Sequence, residues 1–236
     1  MKIQCVWEHN GNDSLLYAVD LPGAYTRGES RETVLAKMEG EAVSYLRWKG
    51  EKVCLPLEIE IGQEKVSELA IRDADSDVLF DSERNPLPWE EYTELKTLAM
   101  KSAVDFLTLY EAVPDKHKSV LAERKTFYGT VPRTSEEMYR HTKNVNAYYF
   151  GEIEVNADNE GTIVECRMRG FEALEKVPDF LKNPVYAGSY GEDWTLRKLL
   201  RRFLWHDRIH ARAMYRMAVK TFGPDSVPNV FGFEER

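Results

Sequence analysis

The 236-residue sequence predicts an α+β N-terminal module followed by an all-α, up-down four-helix bundle. Three observations predict it. Residues 1–80 mix short alternating apolar runs with one helical stretch, the pattern of a small sheet carrying a helix. From Trp89 onward the apolar residues recur at helical spacing, interrupted only by Pro- and Gly-marked loops. The stretch Trp194–Phe222 contains no Gly or Pro and is rich in Leu, Arg, Ala and Met, so it reads as one long amphipathic helix.

In the first module, Lys2–Glu8 and Leu15–Asp20 read as strands around HNGNDS, a turn-forming cluster in which His9 is expected to be solvated. Ala24–Arg27 follows as a short third strand. Ser30 is the expected N-cap, although Thr33 stands where a capping-box Glu would be. Val34, Leu35, Met38, Ala42, Val43 and Leu46 give the helix Arg31–Trp48 its apolar stripe, and LPLEIEI over Leu55–Ile61 alternates as a further strand. Ala70–Pro88 is acidic, then Pro-punctuated, and marks the boundary. The expected division is a first domain over 1–80, a linker over 81–88 and a helical domain over 89–236.

In the helical part, Trp89, Tyr92, Ala99, Ala103, Phe106, Leu107, Tyr110 and Val113 form the stripe of a first helix that Pro114 ends. His117 falls in the polar connection that follows. Thr134-Ser-Glu-Glu137 is a capping box opening a second helix, whose inner face holds Met138, His141, Thr142, Val145, Tyr148 and Tyr149. Thr162-Ile-Val-Glu165 opens a third, running to about Val177 with Gly170 as a weak point. Pro178, Pro184, Gly188 and Gly191 form a loop into the long fourth helix. There Leu196, Leu199, Leu200, Phe203, Ala211, Met214, Met217 and Ala218 share one face. Arg197, Lys198, Arg201, Arg202, Arg208, Arg212, Arg216 and Lys220 are expected on a solvated one.

The net charge of −8 disfavours general nucleic-acid or anionic-membrane binding, which needs a basic surface. Cys5, Cys54 and Cys166 are scattered and odd in number, so neither a zinc ribbon nor a disulfide framework is implied. The N-terminus has no apolar signal-peptide core and no stretch approaches 18 apolar residues. A cytoplasmic protein with no membrane partner is the expectation.

Two histidines interrupt the apolar face of the last helix. His206 and His210, four residues apart, lie about one turn and 40° from each other and can present two imidazoles to one metal ion. The alternative is a pair of hydrogen-bonded core or rim histidines. His141 lies on the inward face of the second helix, so the three can meet inside one bundle. Three imidazoles with an open position are the ligand set of a catalytic zinc-type site, whereas closed structural sites use four ligands.

Two resemblances follow from these residues. Tyr17-Ala-Val-Asp-Leu-Pro-Gly23, Gly28-Glu-Ser30 and the helix RETVLAKMEGEAVSYLRW resemble the HicB-like antitoxin domain over about 60 residues. No DNA-binding tail follows, so the resemblance implies a structural or partner-binding module and not an antitoxin. PRTSEEMYRH141…YY and WTLRKLLRRFLWH206DRIH210 resemble the DinB-like superfamily of metal-binding four-helix bundles, over roughly Trp89 to Phe222. That resemblance implies a divalent metal, zinc or nickel, on His141, His206 and His210. Some members of the superfamily transfer or isomerise through low-molecular-weight thiols.

The functional expectation is a metal-dependent enzyme acting on a small-molecule substrate, a thiol S-transferase-like activity or a hydrolase. The alternative is a non-catalytic metal- or partner-binding protein that uses the HicB-like module. A metalloprotease is disfavoured: His206-Asp-Arg-Ile-His210 has Asp where H-E-x-x-H places its general base. Asp207 is read either as a carboxylate orienting a ligand or as an exposed or capping residue. Trp205 and Ile209, one turn apart among arginines, suggest a homodimer or domain docking, unless a neighbouring segment covers Trp205.

Overall fold

The computed structural model describes residues 1–126 and 128–233, so the last three residues of the expected second domain lie outside the described part. The chain forms two compact units, Met1–Glu83 with the chain end from Phe231, and Arg84–Val230. The first is α+β with a small sheet, and the second is helical.

The first unit runs β1 (Lys2–His9), β2 (Ser14–Ala18), β3 (Tyr25–Gly28), α1 (Arg31–Lys49) and β4 (Glu58–Val66). The sheet order is β3-β2-β1-β4, antiparallel except for the parallel β1–β4 pair. Ser30 caps α1 by accepting the Thr33 N–H, as its residue type and position predict. Val34, Met38, Ala42, Tyr45 and Leu46 supply the buried side of α1, and Ile3, Cys5, Leu15, Leu16 and Tyr17 are buried in the sheet, both faces of which are covered at β2. The chain end returns to this unit. Phe231 stacks on Trp48 at 5.4 Å, and the Ser44 hydroxyl donates to the Gly232 carbonyl.

Two expectations shift. The last strand begins at Glu58 and not at Leu55, because its length follows its partner: the ladder runs from Lys2↔Glu58 to His9↔Val66, with Gly62 as the extra residue at a bulge. Pro56, which has no N–H to give a ladder, stays outside. His9 is the last residue of β1 and not a solvated turn residue. It stacks on Trp7 at 3.9 Å, with Nε2 3.0 Å from the Glu64 carboxylate. The boundary stretch is also more structured than its composition suggests. Val78, Leu79 and Phe80 are buried, and Asp81–Arg84 forms a 3-10 turn.

The second unit holds α2 (Trp89–Ala112), α3 (Ser135–Gly151), α4 (Ile163–Leu174) and α5 (Leu196–Phe222), joined by the short ladders β5 (Lys125–Thr126)–β6 (Gly129–Thr130) and β7 (Tyr186–Ala187)–β8 (Asp193–Trp194). Both predicted capping boxes form, at Thr134/Glu137 and Thr162/Glu165. Both α2 and α3 pack against α4 and α5. Tyr92, Ala99, Phe150, Phe171, Leu199 and Phe203 lie in their common core.

Gly170 is a packing requirement and not a weak point: a Cβ there would stand 2.1 Å from Phe150 Cε2, so α3 and α4 approach closely because it has none. Trp89, expected in the apolar stripe, is exposed as the first residue of α2. The long helix starts at Leu196, with Thr195 as its cap, because Trp194 pairs with Tyr186 in a strand.

The largest correction concerns the basic side of α5. Lys198, Arg201 and Arg208 are buried, not solvated. Lys198 Nζ reaches the Glu192 carboxylate at 2.9 Å and donates to the Asp193 carbonyl at 2.7 Å. Burial pushes its pKa down to about 8 against the pull of Glu192. Trp205 is buried within the single chain, with the Arg202 guanidinium 4.8 Å from its ring centre, so no exposed Trp205–Ile209 patch exists. Among the described residues, no helix is long and apolar enough to cross a membrane.

Candidate metal centre

Two helices bring the three histidines together. α3, fixed at its start by the Thr134 capping box, carries His141 near its middle. α5, capped by Thr195 and packed on α3, carries His206 and His210 one turn apart. The ring centres form a near-equilateral triangle: His141–His206 5.1 Å, His141–His210 4.6 Å and His206–His210 4.5 Å. One nitrogen from each ring lies within 4.8 Å of the other two, close enough for all three to bind one metal ion. The three sequence-selected ligands therefore meet. No cysteine or carboxylate joins the cluster among the described residues. His117 is exposed, and His9 belongs to the other unit.

The electrostatics favour neutral rings. Burial lowers the pKa of all three imidazoles: His141 below 6.5, His210 to about 3, and His206 well below 6.5. Repulsion from His141 adds to the shift at His210, and repulsion from His210 and His141 adds to it at His206. Neutral imidazole is the ligating form.

Among the described residues no hydrogen bond joins the three rings to a group outside the cluster. His206 Nε2 lies 3.3 Å from His141 Nε2, and His206 Nδ1 is buried with no partner. Three converging ring nitrogens with a buried polar atom left over are costly in a purely structural core. The donor set fits a divalent ion with an affinity for imidazole.

The walls come from α3 and α5. Tyr149 meets the His206 ring edge-on at 5.9 Å and Phe203 at 5.3 Å. Tyr148, expected beside them, is more exposed and packs its edge toward Trp194.

Asp207 takes neither of its expected roles. Arg167 of α4 closes on it with Nη1–Oδ2 at 2.6 Å and Nη2–Oδ1 at 3.0 Å, both side chains fully buried. The same guanidinium donates to the Ala99 carbonyl of α2 and lies 4.2 Å from the Phe203 ring centre. With both oxygens engaged, Asp207 cannot serve as the general base that H-E-x-x-H chemistry requires. Sequence reading missed Arg167. Its one signal was a charged residue at an apolar-stripe position of a short helix. No protein family, curated protein or solved structure matches this chain.

Proposed function

We propose that the helical unit is a DinB-like, up-down four-helix bundle that holds one divalent metal ion, zinc or nickel, on His141, His206 and His210. The observation that carries this reading is the convergence of three imidazoles, His206 buried and His141 and His210 half-buried, with no hydrogen-bond partner among the described residues outside the cluster. When bound, an ion with three neutral ligands supplies Lewis-acid activation of a thiol or of water at its open position near neutral pH.

The chain's own residues do the rest. Tyr149 and Phe203 shield the imidazoles from bulk water, and the Arg167–Asp207 pair fixes the rotation of α5 that aims His206 and His210 toward α3. The reaction that suits this setting is thiol transfer to a small, partly apolar electrophile, with metal-assisted hydrolysis as the alternative. The first unit, HicB-like in its sequence pattern, is a structural or partner-binding module of a cytoplasmic protein that acts on a small-molecule substrate.

Metal analysis of the purified protein tests the centre. One equivalent of zinc or nickel is expected, falling to near zero in His141→Ala, His206→Ala and His210→Ala; equal metal in all four proteins rejects the site. For the reaction, metal-loaded protein is incubated with low-molecular-weight thiols and a generic electrophile. A rate matched by His210→Ala excludes catalysis at this centre and leaves a metal-binding protein.

A further inference from the structure

A second site lies at the far end of α3, about two turns beyond His141. A cavity of about 300 Å³ opens between the last turn of α3 and the β7 segment, within the size range of small-ligand pockets. Its lining includes Tyr148 and Glu152 on one side, Tyr186, Gly188 and Ser189 on the other, and Glu154. Two carboxylates and two phenol rings line it, and no lysine or arginine does.

Glu152 is the informative residue. It is the C-cap of α3, where the helix presents its negative end and a carboxylate is unfavourable. It is also only 6% exposed, and burial of a carboxylate away from a cation adds to that cost. No cationic side chain pairs with it among the described residues. Its Oε2 accepts the Ser189 backbone N–H at 2.6 Å, and the nearby Lys198 and Arg202 face Glu192 instead, at 2.9 and 3.9 Å. The position is nonetheless built to hold it: a Cβ on Gly188 would stand 2.2 Å from Glu152 Oε2. Glu154, two residues on, adopts a left-handed backbone (φ 60°) that side chains other than Gly rarely take and that clusters at functional sites. Both tyrosines feel the carboxylates. Burial and then Glu152 push the Tyr148 phenol well above its ordinary value, and burial and then Glu154 raise Tyr186.

We propose that this cavity binds a small organic ammonium group, charge-paired by Glu152 and Glu154 and held against the faces of Tyr148 and Tyr186. A buried carboxylate at a helix C-terminus is compensated by a cation, and aromatic walls favour an alkylated one over a hydrated metal ion. The shared chemistry is R–NH3⁺, from a free amine or from a lysine side chain of a partner. The site is independent of the histidine centre.

The test is a titration of the full chain with n-butylammonium chloride, read by amide shifts of Gly188 and Ser189, with 1-butanol as the uncharged control. Saturable shifts are expected with the ammonium and none with the alcohol. Glu154→Gln, at an exposed position, should weaken binding at least tenfold, as should Glu152→Gln. Unchanged affinity in Glu154→Gln and Glu152→Gln overturns the proposal, as do equal shifts with butanol. So do equal shifts with calcium, because the rings would then select nothing. Nα-acetyl-lysine methylamide separates the sources: binding equal to that of butylammonium assigns a lysine side chain, and binding of butylammonium alone assigns a free amine. His210→Ala should bind butylammonium as the parent does, which keeps this result distinct from that of the metal centre.

Discussion

Adjacent residues of α5 occupy opposite electrostatic settings. Asp207 is fully buried against α4, and both its oxygens meet the Arg167 guanidinium. His206, one residue earlier and about 100° around the helix, has no charged partner among the described residues; its ring meets His141 of α3, His210 of its own helix and the Tyr149 ring. On one side of α5 the charges are matched within the chain, and on the other the ring nitrogens have no charged partner among the described residues. A buried ion pair whose two charges are matched within the chain is a structural fastening. A buried group of polar atoms lacking any complement is the arrangement a ligand completes. The contrast separates fastening from function on one helix, where residue type alone, charged against neutral, would assign the roles the other way round.

The strongest way to break this comparison is to unpair the fastening. Arg167→Met leaves Asp207 buried without its cation, and the expected loss of stability in chemical denaturation is about 3–5 kcal/mol. The double variant Arg167→Met/Asp207→Leu should recover most of that loss, because an apolar pair of similar volume needs no charge balance. A double variant as unstable as the single one would show that the pair holds the helices by geometry and not by mutual neutralisation.

Acid probes the other side. The histidines have folded-state pKa values below the unfolded value of about 6.5, so the unfolded chain binds more protons on acidification. Their contribution is intact above pH 6.5 and is lost as pH falls through the folded values. For His210, lowered to about 3, the loss between pH 6.5 and 5 is on the order of 2 kcal/mol. Stability of the metal-free protein measured at both pH values checks this. His210→Ala should flatten the dependence, and an unaltered slope would mean the rings are solvated.

Much of this arrangement could be read before folding was considered. The capping boxes at Thr134 and Thr162, the Ser30 cap and the apolar periodicity are local, so they placed α1, α3 and α4 to within a few residues. The three histidines were legible for the same reason, since each stands on the apolar side of a well-delimited helix. The Arg167–Asp207 pair was not. It joins residues 40 apart in sequence, and amphipathic reading assigns every charge to solvent. The same assumption misplaced Lys198, Arg201 and Arg208, which packing encloses. The return of Phe231 to Trp48 and the shift of β4 along β1 were likewise set by partners that no local pattern announces.

The smallest expected effect comes from a third charge arrangement at the start of α5, which sharpens the comparison by varying exposure alone. Arg197 closes on Glu91 of α2 in the same two-pronged way as Arg167 closes on Asp207, with Nη2–Oε2 at 2.8 Å. It also donates to the Asn85 and Pro86 carbonyls at 3.0 and 2.8 Å. The geometry thus matches the buried pair, but the Glu91 side chain is 43% exposed and water screens it. Glu91→Gln should therefore cost no more than about 1 kcal/mol, and the loss should shrink further in high salt. Arg197 keeps its carbonyl partners in that variant, so no buried charge is stranded. If Glu91→Gln were as damaging as Arg167→Met, two-pronged geometry would decide the energetics. The distinction drawn along α5 from burial and complement would then fail.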